Sequence, residues 1–191
     1  MILLILILLF IFILILKVNN KLIYVKSNID NKYYLVNNLP NSKKAADILA
    51  YLYITANTLI NKILDEGIDV DNNYEFHNYI LNIKKKILNL IIQESGLYDK
   101  NNTYSINKGE KIVICLRNKI TLEIYDSNLL VYVIIHEISH IGCPEVGHSA
   151  LFYQINKYLL IKAIKFNLYK YENYNNIIYC GIDITSSILD G

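Results

Sequence analysis

The sequence predicts an α+β fold in which a small sheet packs with several helices, preceded by an N-terminal transmembrane helix. Three observations lead to this prediction. Short runs with strand-like alternation are separated by longer segments whose apolar residues recur at helical spacing. Glycine, asparagine and proline fall between these runs and mark their ends. The first sixteen residues form an unbroken apolar run, unlike anything later in the chain.

The first part of the domain combines a predicted hairpin with two predicted helices. The stretch LIYVKSNIDNKYYLVNN suggests two strands around a polar turn. The next segment has helical spacing of its apolar residues, with Asn41 or Ser42 as the N-cap and Gly67 as the C-cap. A second helix is predicted over about residues 74–94, ending before Gly96.

The second part contains a predicted strand, two helices and an extended tail. Residues 112–116 are apolar on both faces, which indicates a buried strand. Asp126 or Ser127 then caps a helix that reaches about Ile141, where the breaker-rich stretch GCPEVG ends it. Another helix is predicted from about His148, and NIIYCGIDITSSIL is predicted to be extended.

The N-terminal run predicts a membrane anchor over residues 1–18. Sixteen apolar residues span about 24 Å as a helix, against a hydrocarbon core of about 30 Å, so the bilayer would have to thin locally. A buried core helix and a cleaved signal peptide are the alternatives. The run has no polar face to show to water, and neither a preceding positive charge nor a small-residue cleavage site, so the uncleaved anchor is favoured.

Charge and cysteine content suggest the location of the domain that follows. Lys17, Lys21 and Lys26 all follow the apolar run, so the positive-inside rule predicts a single-pass membrane protein with its C-terminal domain on the cytosolic side. The three cysteines are widely spaced and odd in number, which favours unpaired thiols in a reducing compartment. A net charge of +2 without a basic cluster gives no support for nucleic-acid binding.

A cluster of histidines in VIIHEISHIGCPEVGH predicts a metal site. On a helix His136 and His140 point the same way, so their imidazoles can bind one ion. Glu137 lies at the edge of that face, where its carboxylate can act as general base toward a water molecule on the metal. Together these residues predict one zinc ion per chain and a hydrolytic reaction.

A catalytic zinc site needs a third protein ligand, and His148 is the first candidate. A straight helix would carry it about 12 Å from His140, so the chain has to turn back within GCPEVG. Glu145 and Glu172 are alternatives because carboxylates also complete such sites, and Cys143 is a weaker one. A metzincin site is excluded, because the chain lacks that class's third histidine and its Met-turn.

The stretch HEISHIGCPEVGHSALFYQI resembles the WLM and SprT-like zinc metallopeptidases, in which a third histidine and then an aromatic residue follow the HExxH helix. His148, Ser149 and Phe152 match that pattern. The resemblance covers about residues 111–165. It implies that His136, His140 and His148 bind zinc and that Glu137 is the base.

The same resemblance implies a substrate-binding strand just before the zinc helix. A protein or peptide substrate would align its backbone against the edge of this strand. The residues concerned are Ile112, Val113, Ile114, Cys115 and Leu116. The group that stabilises the oxyanion is not identified, although Tyr153 and the tyrosines of the tail are candidates.

The sequence therefore predicts a membrane-anchored zinc metallopeptidase. Residues 1–18 form the anchor and residues 19–191 the peptidase-like domain, with the metal-site core at about 110–165. The alternative is a non-catalytic, membrane-anchored module in which zinc joins two helices and stabilises a protein-binding surface. Glu137 counts against this alternative, because a structural zinc site has no need of that carboxylate.

Overall fold

The computed structural model describes residues 5–7, 21–67, 74–100, 103–174, 177–184 and 188–189. Strands and helices in these ranges form a mixed α+β domain, as predicted. The strands are β1 (Leu22–Lys26), β2 (Tyr33–Asn37), β3 (Ile91–Glu94), β4 (Tyr104–Ile106), β5 (Lys111–Ile114), β6 (Ile177–Tyr179) and β7 (Ile182–Ile184). The helices are α1 (Ser42–Glu66), α2 (Tyr74–Ile87), α3 (Ser127–Gly142) and α4 (Ala150–Lys165).

The predicted hairpin and first helix are confirmed. Strands β1 and β2 pair antiparallel, from Leu22 opposite Asn37 to Lys26 opposite Tyr33. Helix α1 follows and ends where its C-cap Gly67 donates its backbone N–H to the carbonyl of Leu64. The apolar side of α1 is buried in the core, because its alanine, leucine and isoleucine residues recur at helical spacing.

Helix α2 is shorter than predicted, and its expected last turn is a strand. The helix ends at Ile87, and Ile91–Glu94 forms β3, which pairs parallel with β5. The segment LIIQE is apolar enough to fit either structure, and pairing with a strand about twenty residues later decides between them. The prediction of a helix to residue 94 is therefore wrong.

Strand β5 is the centre of the main sheet, whose order is β3–β5–β4. One side of β5 pairs parallel with β3, and the other pairs antiparallel with β4. The prediction that residues 112–116 present an exposed edge is therefore wrong. Five buried residues make up this segment: Ile112, Val113, Ile114, Cys115 and Leu116.

Helix α3 runs through the centre of the domain. Asp126 caps its N-terminus by accepting hydrogen bonds from the backbone N–H groups of Asn128 and Leu129, at 2.7 and 3.4 Å. Its residues are apolar almost all round, and α1, α2 and α4 pack against it. The rigid position of α3 in the core is what fixes the histidines on it.

A buried ion pair joins distant parts of the chain beside the main sheet. The guanidinium Nε of Arg117 donates to the carboxylate of Glu94 at 2.5 Å, and both side chains are buried. The same carboxylate accepts the backbone N–H of Asn37 at 2.7 Å, and a second guanidinium nitrogen bonds the side chain of Asn41. This cluster connects β2, the start of α1, β3 and the segment after β5.

The structure corrects the predicted localisation. Within the described ranges, no helix combines the length and the apolar character that crossing a membrane requires. The longest of them, α1, carries lysine, aspartate and glutamate residues along its length. Most of the predicted anchor at residues 1–18 lies outside the described residues, of which only 5–7 belong to it. A single-pass membrane protein with a cytosolic C-terminal domain is therefore a wrong prediction on this finding.

The structure also corrects the prediction of unpaired cysteines. Cys115, at the end of β5, forms a disulfide with Cys180, and their Cα atoms are 6.5 Å apart. Cys143 remains a free and buried thiol. The pairing was not predictable from spacing, because the two cysteines are 65 residues apart and meet only when the tail folds back.

Candidate metal centre

Three histidines meet at the C-terminal half of α3. His136 and His140 lie one turn apart on that helix, and His148 lies in the loop before α4. One ring nitrogen from each lies within 4.8 Å of the others, and Nε2 of His148 is 3.0 Å from Nε2 of His136. Two nitrogens that bind one tetrahedral zinc ion at about 2.0–2.1 Å lie roughly 3.3 Å apart. The three side chains are therefore positioned to bind a single metal ion.

The loop between α3 and α4 returns the chain to the site as predicted. The backbone N–H of Cys143 still bonds the Ser139 carbonyl at 2.9 Å, and the helix stops there. The Nζ of Lys108 donates to the carbonyls of Cys143 and Pro144, which are left without helical partners. Ser149 then caps α4 by accepting from the N–H of Phe152 at 3.2 Å. His148 is therefore held between a fixed helix end and a capped helix start.

Lys108 lies in a tight turn between β4 and β5. Asn107, Lys108 and Gly109 have φ values of 49°, 48° and 103°, so three successive residues are left-handed. A side chain at Gly109 would place its Cβ 2.8 Å from Ile141 in α3. The turn is thus packed against the end of the helix, and this contact aims Lys108 at the loop that carries His148.

Phe152 forms the apolar wall behind the three histidines. Its ring is fully buried and stacks on His140 with a centroid distance of 4.2 Å. It also meets His136 and His148 edge-on, at 5.0 and 4.8 Å. Packing against this ring restricts the rotation of the imidazoles, which preserves the metal-binding geometry.

The imidazoles of the helix are held in their neutral form. Burial, followed by the charges of His140 and His148, lowers the pKa of His136 to about 3. Burial, then His148 and Lys108, lowers the pKa of His140 to about 4. Neutral imidazole is the form that binds a metal ion, so both residues are ready to do so at neutral pH.

Glu137 is buried beside the histidines, with 5% of its surface exposed. No hydrogen bond or ion pair to its carboxylate is found among the residues that the structure describes. Burial alone raises the pKa of Glu137 to about 7. A carboxyl group with this pKa can both accept and return a proton near neutral pH, which is the property of a general base.

A cavity of about 350 Å³ opens onto these residues. The start of β4 forms one wall, and the loop between α3 and α4 forms the opposite wall. Its lining comprises Thr103, Tyr104, Ser105, Lys108, His136, Glu137, His140, Glu145, Val146, Gly147 and His148. The walls are therefore a strand at the edge of the main sheet and the loop that positions His148.

The other candidate ligands lie outside the histidine cluster. Glu145 lines the rim of the cavity and is exposed, while Glu172 is exposed beyond α4. Cys143 is buried, with its sulfur 3.9 Å from the hydroxyl of Ser149. Tyr153, a candidate for the oxyanion site, stacks its half-exposed ring near His148 at 6.2 Å. His77 lies half-buried on α2.

Sequence reasoning missed the residues that approach the site from the sheet. Thr103, Tyr104 and Ser105 line the cavity, and Lys108 holds the loop. The signal that was available is the stretch YSINKGEKIVI, in which a turn separates two short strand-like runs. The resulting hairpin places β4 between β5 and the histidines.

Comparisons with known proteins give the chain a family. It is 36% identical over 175 residues to the uncharacterized protein R325 of Acanthamoeba polyphaga mimivirus, covering 91% of this chain and 87% of that one. The chain therefore belongs to the same protein family as R325. It is also 37% identical over 81 residues to the uncharacterized protein 136R of Invertebrate iridescent virus 6, covering 41% of this chain and 45% of that one.

The comparisons with family models and with solved structures do not assign the chain to a characterised family. No family model matches the chain. The crystal structure of Wss1 from Saccharomyces cerevisiae is similar over 53% of this chain and 86% of that chain, with a TM-score of 0.37 and 18% identity. This similarity concerns the fold alone and carries no functional information. Membership of the WLM or SprT-like group therefore remains a proposal, and function is inferred from the site.

Proposed function

We propose that this protein is a zinc-dependent peptidase that hydrolyses peptide bonds in protein substrates, of the WLM or SprT-like type. The observation that carries the proposal is the buried Glu137, whose carboxylate has no hydrogen-bond or ion-pair partner among the described residues and lies beside three converging histidines. A carboxylate without partners costs stability in the folded protein, and a catalytic role explains why it stands there.

The donor set fits zinc and fits a catalytic site better than a structural one. Neutral imidazole nitrogens are ordinary zinc ligands, and three of them leave a position open. A structural zinc site is closed by four protein ligands, whereas three are positioned here in the described part of the chain. This is the reason to prefer a peptidase to the alternative, a zinc-stabilised interaction module.

Each residue has a proposed role. His136, His140 and His148 would hold one zinc ion, which when bound would supply Lewis-acid chemistry and make a water molecule more acidic. Glu137 would accept a proton from the water molecule that attacks the scissile carbonyl, and would deliver it to the leaving amine.

Strand β4 is the proposed element for substrate alignment, in place of β5. It ends the β3–β5–β4 sheet and lines the cavity with Thr103, Tyr104 and Ser105. An extended peptide can add to such an edge through backbone hydrogen bonds, which are independent of the substrate's sequence. The scissile bond would then lie across the cavity, between β4 and the histidines.

The test measures zinc content and cleavage of an unfolded protein such as denatured casein. The full chain is expected to hold one zinc ion and to cleave, whereas His148→Ala is expected to lose about 10-fold or more of its zinc affinity and its activity. His77→Ala is the matched control and is expected to behave like the wild type, because His77 lies on α2 away from the cavity. A folded wild-type protein that binds no zinc, or binds it and cleaves nothing, would contradict the proposal.

A further inference from the structure

Tyr179 of the β6–β7 hairpin contacts Thr103, one of the residues that line the cavity. This residue is buried, with 6% of its surface exposed, and its ring packs on Tyr125 at a centroid distance of 5.1 Å. Its hydroxyl donates to the carbonyl of Cys115 at 2.8 Å and lies 2.8 Å from the hydroxyl of Thr103. None of the roles proposed above uses Tyr179.

The hydrogen bonds around Tyr179 form a closed ring. The backbone N–H of Cys115 donates to the Thr103 hydroxyl at 3.1 Å. Since the Tyr179 proton goes to the Cys115 carbonyl, the hydroxyl of Thr103 donates to that of Tyr179. Every hydroxyl in the ring therefore gives one hydrogen bond and receives one, a satisfied arrangement that is favourable in a buried place.

This ring of hydrogen bonds holds the start of β4, next to the first residue that pairs with β5. The pairing of β4 with β5 begins at Tyr104 opposite Val113, so Thr103 lies just before the paired residues. Thr103 also lines the cavity. The hydroxyl of Tyr179 thus joins the cavity end of the edge strand to Cys115, just beyond the end of β5.

The hairpin packs on the hydrophobic core through Ile177, Tyr179, Cys180 and Ile184 and is also linked to it covalently. Strands β6 and β7 form their own two-stranded sheet, and within the described ranges neither extends the main sheet. The disulfide from Cys180 to Cys115 and the bond from the N–H of Cys180 to the hydroxyl of Tyr125, at 2.9 Å, tie it down. A two-stranded hairpin is marginally stable alone, so these links and its packing on the core hold Tyr179 in position.

Tyr179 is also close to the proposed general base. Burial is the main cause that raises the pKa of the Tyr179 hydroxyl, and the negative charge of Glu137 contributes to the same direction. Tyr179 is also connected to the cavity by geometry, because its hydroxyl bonds Thr103, which lines the cavity together with Glu137.

We propose that Tyr179 is a positioning residue for the substrate-binding edge of β4, and that the Cys115–Cys180 disulfide keeps it in place. The inference deepens the proposed peptidase function and rests on it for its effect on catalysis. Its structural part, the support of β4 by Tyr179, is independent of activity. Reduction by a dithiol converts the disulfide to two thiols while the dithiol becomes a disulfide, and it frees the hairpin from Cys115.

The first experiment measures hydrogen exchange of the amides in residues 103–106 of the full chain. In Tyr179→Phe these amides are expected to exchange about 10-fold faster or more, because the hydroxyl that closes the ring is gone. Tyr98→Phe, which changes an exposed hydroxyl, is the matched control and is expected to match the wild type. Unchanged exchange in Tyr179→Phe would overturn the proposal, whatever the protein hydrolyses.

Thr103 offers a conservative pair of variants for the same measurement. Thr103→Ser keeps the hydroxyl and is expected to retain slow exchange, while Thr103→Val removes it and is expected to match Tyr179→Phe. Equal exchange in the two Thr103 variants would overturn the hydrogen-bonded ring as the cause. Zinc content is expected to stay at the wild-type level in both, because the ring contains no histidine.

Kinetics and reduction test the effect on catalysis. If the wild type cleaves protein, Tyr179→Phe is expected to raise KM several-fold with kcat changed by less, since the edge strand binds substrate rather than reacting with it. A dithiol is expected to have the same effect on the wild type and none on the Cys115→Ser/Cys180→Ser double variant. A lowered kcat with unchanged KM, or equal sensitivity of both proteins to the dithiol, would overturn the proposal. A wild type that cleaves nothing contradicts the peptidase function alone, because the exchange experiment still decides the role of Tyr179.

Discussion

Glu94 and Glu137 are both buried, and the difference between their surroundings separates the structural part of this protein from the functional part. The carboxylate of Glu94 bonds the guanidinium of Arg117 and the backbone N–H of Asn37. The carboxylate of Glu137 has no such partner among the described residues, and it borders a cavity with three histidines.

The comparison shows that a buried carboxylate can have either a structural role or a role in proton transfer. A buried carboxylate with a cation and hydrogen bonds is part of the scaffold, since removing either partner leaves an uncompensated charge. A buried carboxylate without partners has its pKa raised, and this prepares it for proton transfer. The neighbours of each carboxylate, rather than its depth, therefore indicate its role.

The largest expected effect is on catalysis at Glu137. Glu137→Gln is expected to lower kcat about 10²–10⁴-fold, because the amide cannot accept the proton of the attacking water. Its zinc content is expected to equal that of the wild type, since the residue is not one of the three ligands. Turnover of an unfolded protein together with metal analysis checks this, and a variant that stays active would remove Glu137 from the mechanism.

The next effect is on folding stability at Glu94. Glu94→Ala is expected to lower the free energy of unfolding by about 3–5 kcal/mol, because Arg117 would be left buried without a counter-charge. Denaturant unfolding measures it, with the exposed Glu123→Ala as the control, expected within about 0.5 kcal/mol of the wild type. A double variant, Glu94→Leu/Arg117→Met, is expected to be more stable than Glu94→Ala. If Glu94→Ala lowers the free energy of unfolding no more than Glu123→Ala does, the structural role of the buried Glu94 is contradicted.

Glu137→Gln is expected to have a smaller effect on folding, of opposite sign: it stabilises the metal-free protein. The folded pKa of Glu137 is about 7 against an ordinary value of 4.5, so the folded state holds this proton more tightly and loses stability as pH rises through that range. Glu137→Gln is expected to be more stable than the wild type by on the order of 2–3 kcal/mol above about pH 8, and by almost nothing near pH 4. Denaturant unfolding with a chelator at both pH values measures it, and a gain that is independent of pH would contradict the raised pKa.

The smallest effect concerns a third carboxylate, which is exposed. Asp126 caps α3 without a buried charge, so Asp126→Ala is expected to cost about 1 kcal/mol of stability with zinc content unchanged. The melting temperature and metal content of the variant test this. A loss as large as that at Glu94 would show that burial and pairing do not rank these carboxylates.

The sequence predicted the local features of the site well, because they depend on neighbours along the chain. Helical spacing places His136 and His140 on one face, and Asp126 caps their helix as expected. The breakers in GCPEVG allow the return of His148, and the structure places it beside the other two. Each of these features is set within about twenty residues, which is the range that sequence patterns describe.

The missed features all depend on pairing between distant segments. Strand β3 was predicted as helix because LIIQE satisfies either period, and its parallel partner lies beyond a turn and another strand. Strand β5 was predicted to be the edge strand because the residues of a single strand do not specify the strand order β3–β5–β4. The disulfide and the Glu94–Arg117 pair join residues brought together only by the finished fold.

The position of the β6–β7 hairpin in the chain has a consequence for how the protein is made. Synthesis proceeds from the N-terminus, so the segment with all three histidines leaves the ribosome before Tyr179 and Cys180 do. The nascent chain therefore contains the three histidines before it contains Tyr179, whose hydroxyl bonds both Thr103 and Cys115. In the proposed peptidase, the substrate-binding edge of β4 would therefore be supported only after translation of the hairpin.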